Sequence, residues 1–463
     1  MIGTQAKTCP SEEPARRRHR VAAAAMALLV LMAPGVFAPP ALGQEEPAAA
    51  EPAPPPQELV ERARALLDEV PLVDGHNDAP WQYRDRVGNV LGEIDFAAST
   101  LDLDPPMHTD IPRLEEGGLG AQFWSVYVPV SLDGPEGTAA VMEQIDVVYR
   151  LAELYPETFE MAFSPDDVRR IHAAGKIASL VGLEGGHALA DSLGVLRQLY
   201  RGGARYLTLT HSANTAWADS STDAPEHGGL SAFGEEVVRE MNRLGMLVDL
   251  SHVSAQAMHD ALDTTEAPII FSHSSARALT AHPRNVPDDV LRRLPEDGGV
   301  VMVTFVQPFV SEENRRHWAA RAAERARLEA LYPGDPEAVE EAMERWAEGH
   351  PTPRATYLQV ADHIDHLRDV AGIDHVGIGS DFDGIGRGPL GLEGVEDFPV
   401  LFAELLRRGY TEEELAKIAG RNVLRVFDRV EEVAGALQAE RPPSEATIES
   451  LDGPPAEETG AAP

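Results

Sequence analysis

Five side chains of metal-binding type each stand at or just past the end of a short apolar run. They are His76 and Asp78 after PLVDG, Glu184 after ASLVGL, His252 after GMLVDLS and His273 after APIIFS. Imidazole and carboxylate without thiolate suit Zn2+, with Mn2+ or Co2+ as substitutes. His76 and Asp78 are two residues apart, so on a strand both side chains point one way and can reach one ion. Three ligands suffice for one catalytic zinc. Five point to two, with His76, Asp78 and Glu184 on one, His252 and His273 on the other, and Glu184 bridging. Two such ions about 4 Å apart would share a water, lower its pKa towards roughly 7 and polarise a carbonyl. That is hydrolytic chemistry driven by a metal-bridging hydroxide, with no nucleophilic side chain.

Further polar residues follow other apolar runs. His211, in TLTHSANTAWADS, can stabilise the oxyanion of a tetrahedral intermediate. Arg284, in HPRNVPDD, can clamp a carboxylate with its planar fork. Asp381, in GIGSDFDG, can carry a proton between the bridging water and a leaving amine. Each also has a structural reading: His211 orienting neighbours, Arg284 pairing with Asp288 or Asp289, Asp381 capping a turn. Asp383 is the rival of Asp381, which lies closer to the strand end. His187, His282, His363, His366 and His375 read mainly as supporting residues.

A parallel barrel brings strand ends to one point. Runs rich in Val, Ile and Leu, with little alternation, occur at 71–74, 121–128, 177–183, 206–210, 246–250, 268–271, 299–305 and 376–379. That pattern predicts strands buried on both faces. Helical patterns fill most of the gaps, as at Pro165–Ala174 with Ser164 as N-cap and Pro165 in the first turn. Eight strands with intervening helices predict a (β/α)8 TIM-type barrel; a doubly wound open sheet is the other arrangement. Residues 88–116 read as a loop over the barrel mouth. Residues 311–353, after the seventh strand, read as a helical insertion that is either a lid or a solvated outer hairpin. A terminal helix follows, with a Thr411/Glu414 capping box at its start.

Hydrophobic residues make up 43% of the 463 and charged residues 25%, enough for a substantial core. The net charge of −37 argues against nucleic acid or an anionic membrane as partner. Residues 1–43 run from Arg16-Arg17-Arg18-His19-Arg20 through an apolar stretch to Ala41-Leu42-Gly43, the order of an export signal. Pro34, Pro39 and Pro40 cut that stretch short of a membrane span. The expected mature chain is therefore exported, to a periplasm or medium, with no transmembrane segment. Cys9, the one cysteine, lies in the signal, so no disulfide is expected. Residues 44–56 read as an Ala/Pro/Glu linker, 57–440 as the catalytic barrel and 441–463 as a disordered acidic tail.

The motifs DGHNDAPW (74–81), GLEGGHAL (182–189), LTLTHSANTAWAD (207–219), LVDLSHVS (247–254), FSHSSARAL (271–279), RNVPDD (284–289) and SDFDG (380–384) occur in that order. Together they resemble the membrane (renal) dipeptidase family, a binuclear zinc branch of the amidohydrolase superfamily. The resemblance runs from about Leu59 to Val430. It implies the five zinc ligands named above, with His211 and Arg284 binding the substrate's carbonyl and carboxylate ends and Asp381 transferring the proton. It further implies hydrolysis of dipeptides, tolerance of a D-residue at the C-terminal position, and a homodimer. The alternative is a two-zinc hydrolase of β-lactams, lactones or N-acyl amino acids. The animal enzymes carry a C-terminal lipid-anchor signal; residues 441–463 here are not a hydrophobic tail, so no anchor is expected, and the Phe305-Val306-Gln307 segment lacks the tyrosine those enzymes place near substrate.

Overall fold

The computed structural model describes residues 52–453. The expected export signal and the first part of the linker lie outside them. Among the described residues nine strands form: β1 Leu72–Asn77, β2 Leu119–Ser125, β3 Phe159–Met161, β4 Ile177–Glu184, β5 Ala204–Thr208, β6 Leu247–Asp249, β7 Ile270–Ser274, β8 Val300–Val303 and β9 Val376–Ile378. All neighbours are parallel, in the order β2-β1-β9-β8-β7-β6-β5-β4. The sheet closes because β2 also pairs with β4, Ala121 opposite Ala178 through Ser125 opposite Gly182. This is the (β/α)8 barrel, and closure removes the open sheet. The three-residue β3 is an extra strand paired only with the start of β4.

Every residue of β1, β2, β4, β6, β7, β8 and β9 is buried, which is why their sequences run apolar without alternating. One apolar cluster joins Phe123, Leu180, Leu247 and Met302 of the strands to Val426, Phe427 and Val430 of the C-terminal helix Asn422–Glu440. Serine caps start several of the surrounding helices. Ser164 accepts from Asp167 N (3.1 Å) and Ser254 from Ala257 N (3.2 Å). Thr411 and Glu414 form the expected capping box.

The insertion forms two helices, Glu312–Leu331 and Pro336–Gly349, broken at Gly334. Leu328, Val339 and Met343 give the pair a small core of its own. The loop at 88–116 is compact: Asp110 accepts from Thr100 N (3.0 Å) and from Arg113 Nε (2.7 Å).

The described part of the expected tail differs from expectation, while residues 454–463 lie outside the described residues. Residues 441–453 are docked, with Asp452 accepting from Ser231 Oγ (2.6 Å) and Phe233 N (3.2 Å). Composition predicted disorder there because the segment is poor in apolar residues. It is held by polar contacts to the start of the helix Ala232–Leu244, which an acidic side chain complements, and by Ala446 and Ile448 packing against the core. Among the described residues, no helix is long and apolar enough to cross a membrane.

Candidate metal centre

The C-terminal ends of β1, β4, β5, β6, β7 and β9 converge on one buried acidic and imidazole cluster. Glu184, the last residue of β4, sits at its centre. His76 Nε2 lies 3.5 Å from Glu184 Oε2 and 3.4 Å from Asp78 Oδ2. On the other side, His252 Nε2 and His273 Nε2 lie 3.0 and 3.4 Å from Glu184 Oε1. The two carboxylate oxygens thus face different sets of ligands. His211 Nε2 is 3.8 Å from Oε1, and Asp381 joins His76 and Asp78 in a cluster whose ligand atoms lie within 4.8 Å of one another. All five expected ligands, His211 and Asp381 are therefore together.

Two of these positions have left-handed backbone, His252 at φ 70° and Asp381 at φ 66°. For residues with a Cβ that conformation costs about 1 kcal/mol or more, and it turns the side chain inward from the strand end. Gly384 provides room beside them. A Cβ there would stand 2.2 Å from Asp78 Oδ2 and 2.6 Å from Asp381 Oδ1.

A layer of hydrogen bonds below the cluster orients the rings. Tyr206 OH meets His76 Nδ1 at 2.7 Å, and Ser272 Oγ meets His273 Nδ1 at 2.8 Å. Tyr206 lies over Gly182 of the neighbouring strand, where any Cβ would be 2.1 Å from the phenol ring. Ser272 Oγ in turn donates to Asp249 Oδ2 (2.6 Å), whose other oxygen accepts from Ser251 N (3.0 Å). With their outer nitrogens so engaged, these rings present Nε2 to the cluster.

The residues suit divalent cations. His76 Nε2 and Asp78 Oδ1 are buried without a hydrogen-bond partner. Burial, with Arg284 and neighbouring imidazoles, holds His252 and His273 well below the usual histidine range, in the neutral form that binds metal. Burial works against charge on His76 too, but Tyr206, Glu184 and Asp78 outweigh it and pull that ring's pKa well up. Burial pushes Glu184 up, yet His76, His211 and His252 hold it well below the carboxylate range. A full-time anion therefore sits at the centre, between the neutral rings of His252 and His273 and the His76 ring, which holds its proton more strongly. Asp381 goes the opposite way, raised well above its ordinary value by burial and by Asp78 and Glu184. Burial lowers His211, leaving a neutral ring.

Arg284 is buried beside the cluster, and burial lowers its pKa to about 10. Nη2 donates to His273 O (3.2 Å), while Nε has no partner. It pairs with neither Asp288 nor Asp289: the first meets His366 Nε2 (2.8 Å) and the second His259 Nε2 (3.2 Å). A cavity of about 410 Å3 opens above the cluster, lined by Asp78, Glu184, His211, His252, Arg284 and Asp381. Asp383 also lines this cavity, but its Oδ1 is taken by His108 N (2.7 Å).

The family model of membrane dipeptidases, peptidase family M19, matches residues 60–441. The chain belongs to the M19 dipeptidases. It is 41% identical over 384 residues to the dipeptidase verJ of Clonostachys rogersoniana, covering 81% of this chain and 87% of that one. Among solved structures it resembles the probable dipeptidase PvdM of Pseudomonas aeruginosa, with TM-score 0.70, 27% identity, and coverage of 82% of this chain and all of that one. It also resembles a Rhodobacter sphaeroides metallopeptidase liganded with a phosphinate mimic of L-Ala-D-Ala, with TM-score 0.63, 25% identity, and coverage of 78% and 99%. This M19 chain is thus a metallo-dipeptidase.

Several residues of this dipeptidase site were not anticipated. Trp81, Gln82, Tyr127, Phe309 and Ile385 also line the cavity. Tyr127 stands against the His211 ring (4.9 Å) and edge-on to Trp81 (5.0 Å). It lies two residues past β2, inside a run the sequence marked only as apolar. Tyr206 had no ligand-type signal, because its role comes from the His76 ring on β1, a strand that does not pair with its own.

Proposed function

We propose that this M19 dipeptidase works with two zinc ions. His76, Asp78 and one oxygen of Glu184 would hold the first; the other oxygen, His252 and His273 would hold the second. The division of the Glu184 carboxylate, Oε2 towards His76 and Oε1 towards His252 and His273, carries this reading. Two such cations would supply a water of lowered pKa and polarise the scissile carbonyl. Arg284 takes the substrate's free carboxylate through the edge its Nε leaves unpaired. His211, neutral and at the cavity wall, hydrogen-bonds the carbonyl oxygen as negative charge develops there. Asp381 holds a proton at higher pH than an ordinary carboxyl and passes it to the departing amine. The R. sphaeroides relative's L-Ala-D-Ala mimic supports acceptance of a D-residue at the C-terminal position. We also infer export, from the order of basic, apolar and small residues in 1–43, and a homodimer; N-terminal sequencing of the secreted protein and light scattering test these.

The test of the central reading is metal content together with cleavage of L,L- and L,D-dipeptides before and after chelation. About two zinc equivalents with chelator-sensitive cleavage is the expected result. Two zincs without cleavage would move the substrate to β-lactams, lactones or N-acyl amino acids. A folded protein that binds no metal would overturn the ligand assignment. Arg284→Ala should lose free-acid dipeptides and retain zinc; equal cleavage of free-acid and amidated dipeptides by the unaltered enzyme would reject the clamp.

A further inference from the structure

We propose that a second cavity, walled in part by the helical insertion, receives the side chain of the substrate's C-terminal residue and selects large apolar ones. The proposal rests on the dipeptidase reading above and adds the substrate class. This cavity, about 690 Å3, has Gly384 and Ile385 in common with the catalytic cavity. A second strip of chain also runs along both. Val306, Gln307 and Pro308 line the new cavity, and the next residue, Phe309, lines the catalytic one.

That strip fixes which end of the substrate is involved. The Arg284 guanidinium lies 5.3 Å from the centre of the Phe309 ring. A dipeptide whose carboxylate is held by Arg284 therefore has its C-terminal residue next to Phe309, at the boundary between the cavities. The insertion contributes Trp318, on the helix Glu312–Leu331, and this indole remains 43% exposed. Large indole surface left open on a highly charged helix is the part of this wall with most to gain from apolar contact. Val306, Pro308 and Ile385 add aliphatic surface.

The walls are tied in place before any ligand arrives. Gln307 Nε2 donates to Arg387 O (3.0 Å), and its Oε1 accepts from Ala355 N (2.9 Å). Asn314 Nδ2 donates to Pro353 O (2.6 Å), joining the two ends of the insertion. Gln307 thus links the loop after β8 to the loop after β9 and to the chain leaving the insertion. A pocket held this way loses little entropy when filled. Arg354, also in the lining, has its charge met by Glu393 at 2.8 Å.

The experiment compares kcat/KM for Ala-Ala, Ala-Phe, Phe-Ala and Ala-Glu with the zinc-loaded enzyme and its Trp318→Ala and Trp318→Phe variants. Ala-Phe should exceed Ala-Ala by about tenfold or more, mainly through KM, and Trp318→Ala should bring that ratio to within about twofold while Trp318→Phe keeps most of it. A ratio near one in the unaltered enzyme overturns the proposal, and needs no folded variant. So does a preference that follows Phe-Ala instead, a ratio unmoved by Trp318→Ala, or a larger gain for Ala-Glu, which would assign the pocket to Arg387 and an acidic side chain. Cleavage of none of the four would instead defeat the dipeptidase reading, and the pocket assignment with it.

Discussion

Asp381 and Asp383 show how much one residue's surroundings decide. Both have left-handed backbone and stand two apart in one loop. Asp383 Oδ1 is committed to His108 N, whereas Asp381 faces His76 and Asp78 and is raised by burial and by the negative charge of Asp78 and Glu184. Asp381→Asn should therefore lower kcat by about 10²- to 10⁴-fold, the usual range for a lost general acid, with zinc content unchanged. Metal analysis beside steady-state kinetics checks this, and loss of zinc in step with activity would make Asp381 a ligand instead. The five residues that meet in this cluster were legible in the sequence because each is a side chain of distinctive chemistry at the end of an apolar run. Tyr206 and Ser272 were not, because a phenol or hydroxyl acquires its role only from the ring it touches on another strand.

At the scale of elements, the site depends on strand ends and on the loops that leave them. The loop after β9 approaches the cluster so closely that only hydrogen fits at Gly384. Gly384→Ala should push Asp78 or Asp381 aside and lower zinc affinity and kcat/KM together, by about 10-fold or more, as misplacement of a catalytic group does. Zinc competition titration and kinetics on one preparation would measure both, and wild-type values for both would show that the loop moves freely. Strand positions were readable from composition because double-sided burial demands continuous apolar runs. The loops were not: neither the ties of 88–116 to itself and to Asp383 nor the placement of Trp318 beside a second cavity follows from local pattern.

For the whole molecule, the acidic balance is spread over a surface rich in Arg–carboxylate pairs, which add little individually. Asp297 belongs to none of these pairs. It is partly buried near the N-terminal ends of β7 and β8, where it accepts from Ile269 N (3.2 Å), and burial raises its pKa to about 6. A carboxyl whose folded pKa exceeds its unfolded value stabilises the fold below the unfolded pKa of 3.8 and loses that stabilisation as pH rises through about 6. Asp297→Asn keeps an acceptor for Ile269 N without the charge. Relative to the unaltered protein, it should gain stability between pH 4 and 7 by ~2 kcal/mol. Denaturant melts at several pH values would show this, and a difference that does not change with pH would place the Asp297 pKa at its ordinary value.

From the sequence alone came the barrel, the family, and the five candidate ligands with His211, Arg284 and Asp381 as residues of one cluster, because periodicity and ligand-type chemistry are local and survive without coordinates. Tertiary structure decided closure of the sheet through β2 and β4, the facing of each Glu184 oxygen, and the freedom of Arg284 from Asp288 and Asp289. It also docked residues 441–453, which composition had left without structure. Each of these is a contact between residues far apart in the chain, and its energy depends on distance and burial that no local pattern encodes.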